Sequence, residues 1–237
     1  MTHLFPKVFV DFDGTITKRD VGNAFFRKFG NEAESLKLVG KWKSGELSGS
    51  DLLLKEAEYV SVSEEDALKF VENFEVDSSF KCFLNFCNEN GIELTVLSDG
   101  LDFYIKKVLA ANGISGVSFY SNGARFHSLR IEIELPHESD CTKCANCKGH
   151  QILMNSGSDD AIVYIGNGFS DRCAVQYADV VFAKDELLRY CEENNITYFP
   201  FVTFDDVLKK FRKVFEAGNF RKRHCAELKR REAYLAE

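Results

Sequence analysis

The sequence predicts an α/β fold: a doubly wound parallel sheet with a small helical domain inserted near its start. Three observations carry this reading. Short apolar runs recur along the chain and end in polar or glycine residues; amphipathic helical segments separate them; and residues 18–75 carry helical patterns alone. The 237 residues suit one domain plus a smaller one, at roughly 100–200 residues per domain.

The strands come first. Val8-Phe9-Val10 runs into Asp11, Ile92 to Leu97 into Ser98-Asp99-Gly100, and Ala161 to Ile165 into Gly166-Asn167-Gly168. Val180-Val181-Phe182 and Tyr198 to Val202 follow. Continuous apolar runs of this length read as strands buried on both faces of a parallel sheet. Helices lie between them. In 77–90, Phe80, Phe83, Leu84 and Cys87 fall at i, i+3, i+4 and i+7, with Gly91 as the stop. Residues 101–112 form a similar helix ended by Gly113, and Thr203 caps a helix carrying Val207, Phe211 and Val214. The inserted segment reads as helices at 21–29, 32–43, 50–60 and 63–74, with Ser63 as an N-cap. Residues 130–135 alternate polar and apolar, as a strand with one wet face does. These readings divide the chain into a core of 1–17 and 77–218, a helical insertion of 18–76, and a charged helical tail of 219–237 that is expected to be solvated.

Composition narrows the function. A net charge of -7 weighs against nucleic acid as a partner, which needs a basic footprint, but leaves room for a small phosphorylated ligand in a locally positive pocket. No apolar run approaches the roughly 18 residues of a membrane span, and Met1 to Lys7 lacks the pattern of a signal peptide. The expectation is a cytoplasmic protein whose eight cysteines are reduced. The 22 phenylalanines, clustered at 25–29 and 70–86, predict an aromatic-rich core.

Asp11-Phe12-Asp13-Gly14-Thr15 follows the first strand. In an open parallel sheet, ligands bind at the C-terminal strand ends. Two carboxylates two residues apart there repel unless a cation or shared proton relieves them, and Mg²⁺ accepts carboxylate oxygens together with phosphate. Gly14 allows a tight turn near a phosphate; an Asp-Gly pair after a strand is also a common structural corner. Ser98 ends the next strand, where its hydroxyl can donate to a phosphate oxygen or simply cap the chain. Lys148 precedes a helix start and can balance the carboxylates, although a surface lysine is the default for that residue type. Gly166-Asn167-Gly168-Phe169-Ser170-Asp171 joins a glycine-rich backbone to an acid at a helix start, which suits a metal–phosphate site.

Taken in order, these four elements resemble the haloacid dehalogenase (HAD) superfamily, over nearly the whole chain: DxDGT at 11–15, the motif serine Ser98, the motif lysine Lys148 and the motif acid Asp171. The helical insertion resembles the superfamily's C1 cap in the form found in phosphoserine phosphatase-like members, so the resemblance implies a HAD-like α/β fold whose cap closes over a substrate. It implies a phosphomonoester hydrolase in which Asp11 attacks phosphorus, Asp13 moves the proton, and Ser98 and Lys148 hold the phosphoryl oxygens. Asp11, Asp13, Asn167 and Asp171 are the candidate Mg²⁺ residues. Gly14, Thr15, Asp99, Gly100 and Asp20 are the candidate substrate and phosphate contacts. The family commonly has Asp where Asn167 stands, so weaker Mg²⁺ binding, or a ligand role shifted to Asp171, is expected. A phosphotransferase or mutase of the same superfamily, and a non-catalytic binding protein on this fold, remain as alternatives.

The stretch Leu135-Pro136-His137 with Cys141, Cys144, Cys147 and Lys148 resembles the cysteine-rich segment of the methionine-salvage phosphatases acting on 2-hydroxy-3-keto-5-methylthiopentenyl-1-phosphate. It is similar, at shorter spacing, to that of phosphoethanolamine/phosphocholine phosphatases. His137, Cys141, Cys144 and Cys147 have the ligand types and spacing of a structural zinc site; the other reading is a loop of reduced thiols packed as small hydrophobes. Cys82, Cys87, Cys173 and Cys191 lie in helical patterns and read as core. Asp20 either contacts a leaving group or caps the helix that starts at Val21.

Overall fold

The computed structural model describes residues 4–137, 139 and 141–236. Their contacts divide the chain into two compact units, one of residues 1–11, 77–97 and 148–237 and the other of 12–76 and 98–147.

The first unit is built on parallel strands. β1 (Phe5–Asp11) pairs with β2 (Leu94–Leu101) on one side and β5 (Asp160–Gly166) on the other, and β6 (Val180–Ala183) and β7 (Phe199–Pro200) extend the sheet beyond β5. The register sets Asp11 opposite Leu97 and Val10 opposite Ile165, so the ends of three strands come level. Val8, Phe9, Val10, Val163, Tyr164 and Ile165 have no exposed surface, as their unbroken apolar runs require. β7 is two residues long, shorter than the run at 198–202 suggests. Pro200 has no N–H to give a further neighbour, and Val202 beyond it is 78% exposed. Helix α5 (Phe80–Glu89) packs on α9 (Phe204–Glu216) through Phe80, Phe83, Phe204 and Phe211, with ring centroids 4.9–5.7 Å apart. The capping box at Thr203 and Asp206 starts α9.

The charged tail is not a solvated helix on all sides. It forms α10 (His224–Ala236), and Ala226 and Arg230 on it are buried. Arg230 Nη2 donates to Asp179 Oδ1 at 2.9 Å, and the Arg223 N–H donates to the same oxygen at 2.9 Å. A basic sequence looks solvated until its acidic partner is found, and here that partner lies over 40 residues upstream.

The second unit holds the helical insertion: α1 (Val21–Phe29), α2 (Glu32–Ser44), α3 (Gly49–Glu58) and α4 (Glu64–Val71). Their side-chain caps are Asp20, Asn31, Ser48 and Ser63. The first segment of this unit runs from residue 12 to residue 76. The segment 98–147 groups with these helices, because Phe103 of α6 (Asp102–Ala111) stacks edge-on with Phe25 of α1 at 5.2 Å and with Phe126 at 5.1 Å. Strands β3 (Ser118–His127) and β4 (Arg130–Glu134) form an antiparallel hairpin, with Ile131 buried and its polar neighbours exposed. The Asn122 Nδ2 amide ties β3 to the Asp99 carbonyl at 2.7 Å.

Candidate active site

Asp11 is the last residue of β1 and is 4% exposed. Lys148 opens helix α7 (Lys148–Met154) and is 1% exposed. Its Nζ lies 2.5 Å from Asp11 Oδ1, 2.6 Å from Asp171 Oδ1 and 2.9 Å from Ser170 Oγ. A buried ammonium is tolerated only when its protons are used and its charge is met, and all three donors find oxygen here. The lysine is therefore no surface residue: it bridges a strand-end carboxylate to a second acid in the short 3-10 helix (Phe169–Arg172) after β5.

Asp171 accepts four hydrogen bonds. Its Oδ1 accepts from Lys148 and from the Tyr164 hydroxyl at 2.6 Å, while its Oδ2 accepts from the N–H groups of Asn167 at 2.9 Å and Gly168 at 2.8 Å. Four donors fill the roughly four lone-pair sites of a carboxylate, so Asp171, with no exposed surface, is tied to Lys148 and the Asn167 loop. Gly166 allows this approach: a Cβ there would lie 2.5 Å from Asp171 Oδ2 and 2.9 Å from Tyr164. The Asp11 carboxylate and the Asn167 side-chain amide at this strand edge carry hard oxygens, the donor type that Mg²⁺ takes.

Lys184, just past β6, joins the same unit. Burial lowers its pKa, and the negative fields of Asp185, Asp77 and Asp11 oppose the drop. It places a second cation in reach of the Asp11 field.

In the second unit, Gly14 takes a positive φ of 76° in the turn after β1, which glycine adopts without steric cost. Its N–H donates to the buried Thr17 hydroxyl at 3.0 Å, and Thr15 is 1% exposed. Asp13 receives four hydrogen bonds. Oδ1 accepts from the N–H groups of Val21 at 2.9 Å and Gly22 at 3.2 Å; Oδ2 accepts from the Tyr104 hydroxyl at 3.0 Å and the Ser98 hydroxyl at 3.3 Å. Burial, reinforced by the negative charge of Asp20, pushes its pKa up to about 7, against the lowering pull of the Gly22, Tyr104 and Val21 donors. A carboxyl in that range holds or releases a proton near neutral pH. Asp20 caps α1, accepting from the Asn23 N–H at 2.7 Å.

Asp99 and Gly100 have structural partners. Asp99 Oδ1 accepts from the Asn146 N–H at 2.6 Å, and Asn146 Nδ2 donates to the Ser98 carbonyl at 3.0 Å. Gly100 backs against Tyr104, where a Cβ would fall 1.4 Å from the hydroxyl oxygen. The thiols of Cys141, Cys144 and Cys147 lie within 4.8 Å of one another. His137, expected among them, is not a member of that group; its ring packs on Tyr120 at 5.5 Å. Sequence reasoning missed Tyr104, Tyr164, Asn146 and Lys184. Only Lys184 left a usable signal, as the polar residue directly after an apolar strand run.

Known proteins share this chain's sequence and fold. The Putative Phosphatase family matches residues 7–190. The 2-hydroxy-3-keto-5-methylthiopentenyl-1-phosphate phosphatase of Bacillus mycoides (strain KBAB4) is 37% identical over 216 residues, covering 89% of this chain and 97% of that protein. Its namesake from Bacillus cereus (strain B4264) is 36% identical over the same share of each. Among solved structures, the phospho-aspartyl intermediate analogue of phosphoserine phosphatase superposes with a TM-score of 0.67 at 19% identity, covering 87% of this chain and 99% of that one, which shows a shared fold. Identity at this level over nearly the full length of both chains, on a HAD-like α/β fold, makes this chain a phosphatase and a member of the Putative Phosphatase family.

Proposed function

We propose that the chain hydrolyses a small phosphomonoester through a phosphorylated Asp11, with Mg²⁺ as cofactor. The observation that carries this is the buried Lys148 ammonium held between Asp11 and Asp171 at 2.5 and 2.6 Å. Such a pair fixes one Asp11 oxygen and leaves a cation where phosphoryl charge develops.

In the first step an Asp11 oxygen attacks phosphorus, the bond from phosphorus to the leaving oxygen breaks, and Asp13 gives that oxygen its proton. In the second step water attacks the same phosphorus, Asp13 takes a proton from it, and the bond to Asp11 breaks to release phosphate. Ser98 and Lys148 donate to the phosphoryl oxygens throughout, and Asp171 holds Lys148 in line. Asp11, the Asp13 main-chain carbonyl and the Asn167 amide are the residues for Mg²⁺, which when bound neutralises phosphoryl charge. A neutral amide in that set predicts weaker Mg²⁺ affinity than a carboxylate gives. The relatives point to a substrate like 2-hydroxy-3-keto-5-methylthiopentenyl-1-phosphate.

The test is phosphate release with Mg²⁺ from that compound, phosphoserine, phosphoethanolamine and phosphocholine. Asp11→Asn is expected to lose on the order of 10³-fold or more in kcat. Acid quenching with labelled substrate is expected to trap phosphate on the wild type and none on Asp11→Asn. A panel that yields no phosphate with the wild type sinks the proposal.

A further inference from the structure

The loop 141–147, Cys-Thr-Lys-Cys-Ala-Asn-Cys, contains no large apolar side chain, yet Cys144, Ala145, Asn146 and Cys147 on it are buried. A segment without a core of its own needs another staple. Its backbone is tied outward. The Lys143 carbonyl accepts from Trp42 Nε1 at 3.1 Å and from the Gly49 N–H at 3.0 Å. The loop lies so close to the start of α3 that a Cβ on Gly49 would come 2.7 Å from the Ala145 nitrogen. Asn146, with no exposed surface, reaches the Ser98 carbonyl and the Asp99 carboxylate. With the main chain anchored in these directions, the three cysteine side chains converge, their sulfurs within 4.8 Å of one another.

We propose that Cys141, Cys144 and Cys147 hold a structural zinc ion. Sulfurs bound to zinc at about 2.3 Å in a tetrahedron stand about 3.8 Å apart, so the observed grouping closes on an ion with a small contraction. Binding converts three thiols to thiolates with release of their protons, and involves no change of oxidation state. The two-residue spacings are those of structural zinc loops. A disulfide is the weaker use of these residues, because one bridge joins only two of the three sulfurs and leaves the third buried or half-buried beside it. The ion's task follows from the loop's neighbours. It fixes Asn146 against Ser98 and Asp99, and it sets the chain direction at Cys147, the residue immediately before Lys148. The fourth donor of the tetrahedron comes from outside these three residues.

Zinc content is measured on the whole purified chain, so the result does not depend on phosphatase activity. About one zinc per chain is expected in the wild type, and less than a tenth of that in Cys144→Ser and Cys147→Ser. Cys82, which its helical pattern assigned to the core, is exposed, as is Cys225, and Cys82→Ser and Cys225→Ser are expected to keep the ion. If the two buried variants fail to fold, Cys141→Ser at the half-exposed position and cobalt(II) replacement in the wild type decide the matter. Thiolate-to-cobalt charge transfer, with an intensity appropriate to three or more thiolates, is expected. A wild type that holds no zinc after refolding with excess zinc overturns the proposal, as does zinc that survives all three loop substitutions.

Discussion

Asp171 and Asp13 both lie near strand ends, and their neighbours give them different tasks. Asp171 is saturated by one cation, one phenol and two backbone N–H groups, so it acts by holding others still. Asp13 is held by neutral donors only, and burial beside Asp20 raises its pKa to about 7. Glu56 on α3 is a third case. It is 6% exposed, hydrogen-bonded by the Ser35 hydroxyl, and burial, helped by the field of Asp20, raises its pKa from 4.5 to about 7. The native state therefore binds this proton more tightly than the unfolded chain does. Glu56 costs nothing below the unfolded pKa, and its penalty grows from about pH 4.5 to about pH 7, reaching on the order of 3 kcal/mol above that. Glu56→Gln is expected to match wild-type stability at pH 4.5 and to exceed it at pH 8, read from urea midpoints. A stability difference that does not change with pH contradicts this account.

At the level of the element, β2 and α6 act as one device. The strand delivers Ser98, and the first turn of the helix delivers Tyr104 to Asp13. Gly100 is the clearance between them, because a methyl group there would occupy the position of the tyrosine hydroxyl. Tyr104→Phe removes one hydrogen bond and keeps the packing; the expected fall in kcat is about tenfold, near 1.4 kcal/mol. Gly100→Ala displaces the ring, the Ser98 turn and the Asp13 contacts together, so its loss of kcat is expected to be the larger of the two. Equal kcat for Gly100→Ala and wild type refutes the coupling. Helix extents were legible in the sequence here: Val21–Phe29 matches 21–29, and Asp102–Ala111 falls within 101–112. Apolar spacing and cap residues are local signals. The partner of Tyr104 was not legible, since Asp13 lies 91 residues away.

For the molecule as a whole, the chain passes between its two units at residues 11/12, 76/77, 97/98 and 147/148. Three of these crossings fall inside or beside the motifs: Asp11 before Phe12-Asp13, Leu97 before Ser98, and Cys147 before Lys148. Among the described residues no helix is long and apolar enough to cross a membrane. The C-terminal helix belongs to the first unit's stability through Asp179, which also accepts from the Ile162 N–H of β5 at 2.9 Å. Arg230→Ala leaves that buried carboxylate short of its cation and is expected to cost about 3–5 kcal/mol in denaturant unfolding. Arg231→Ala, which breaks only the exposed pair with Glu227, is expected to cost under about 1 kcal/mol. Equal effects of the two substitutions exclude a structural role for the tail.

The fold class was legible in the sequence, which also singled out a helical insertion and candidate catalytic residues as expectations. Buried parallel strands, amphipathic helices and strand-end motifs are written in residues that are close together in the chain. Tertiary structure alone decided which oxygens are occupied. It tied Asp171 to Lys148 and the Asn167 loop, set the His137 ring on Tyr120, gave Asp99 to the loop at Asn146, and buried Arg230 on Asp179. Each of these depends on a partner distant in sequence, and hydrogen bonding and charge pairing are settled only when folding fixes which donor reaches which acceptor.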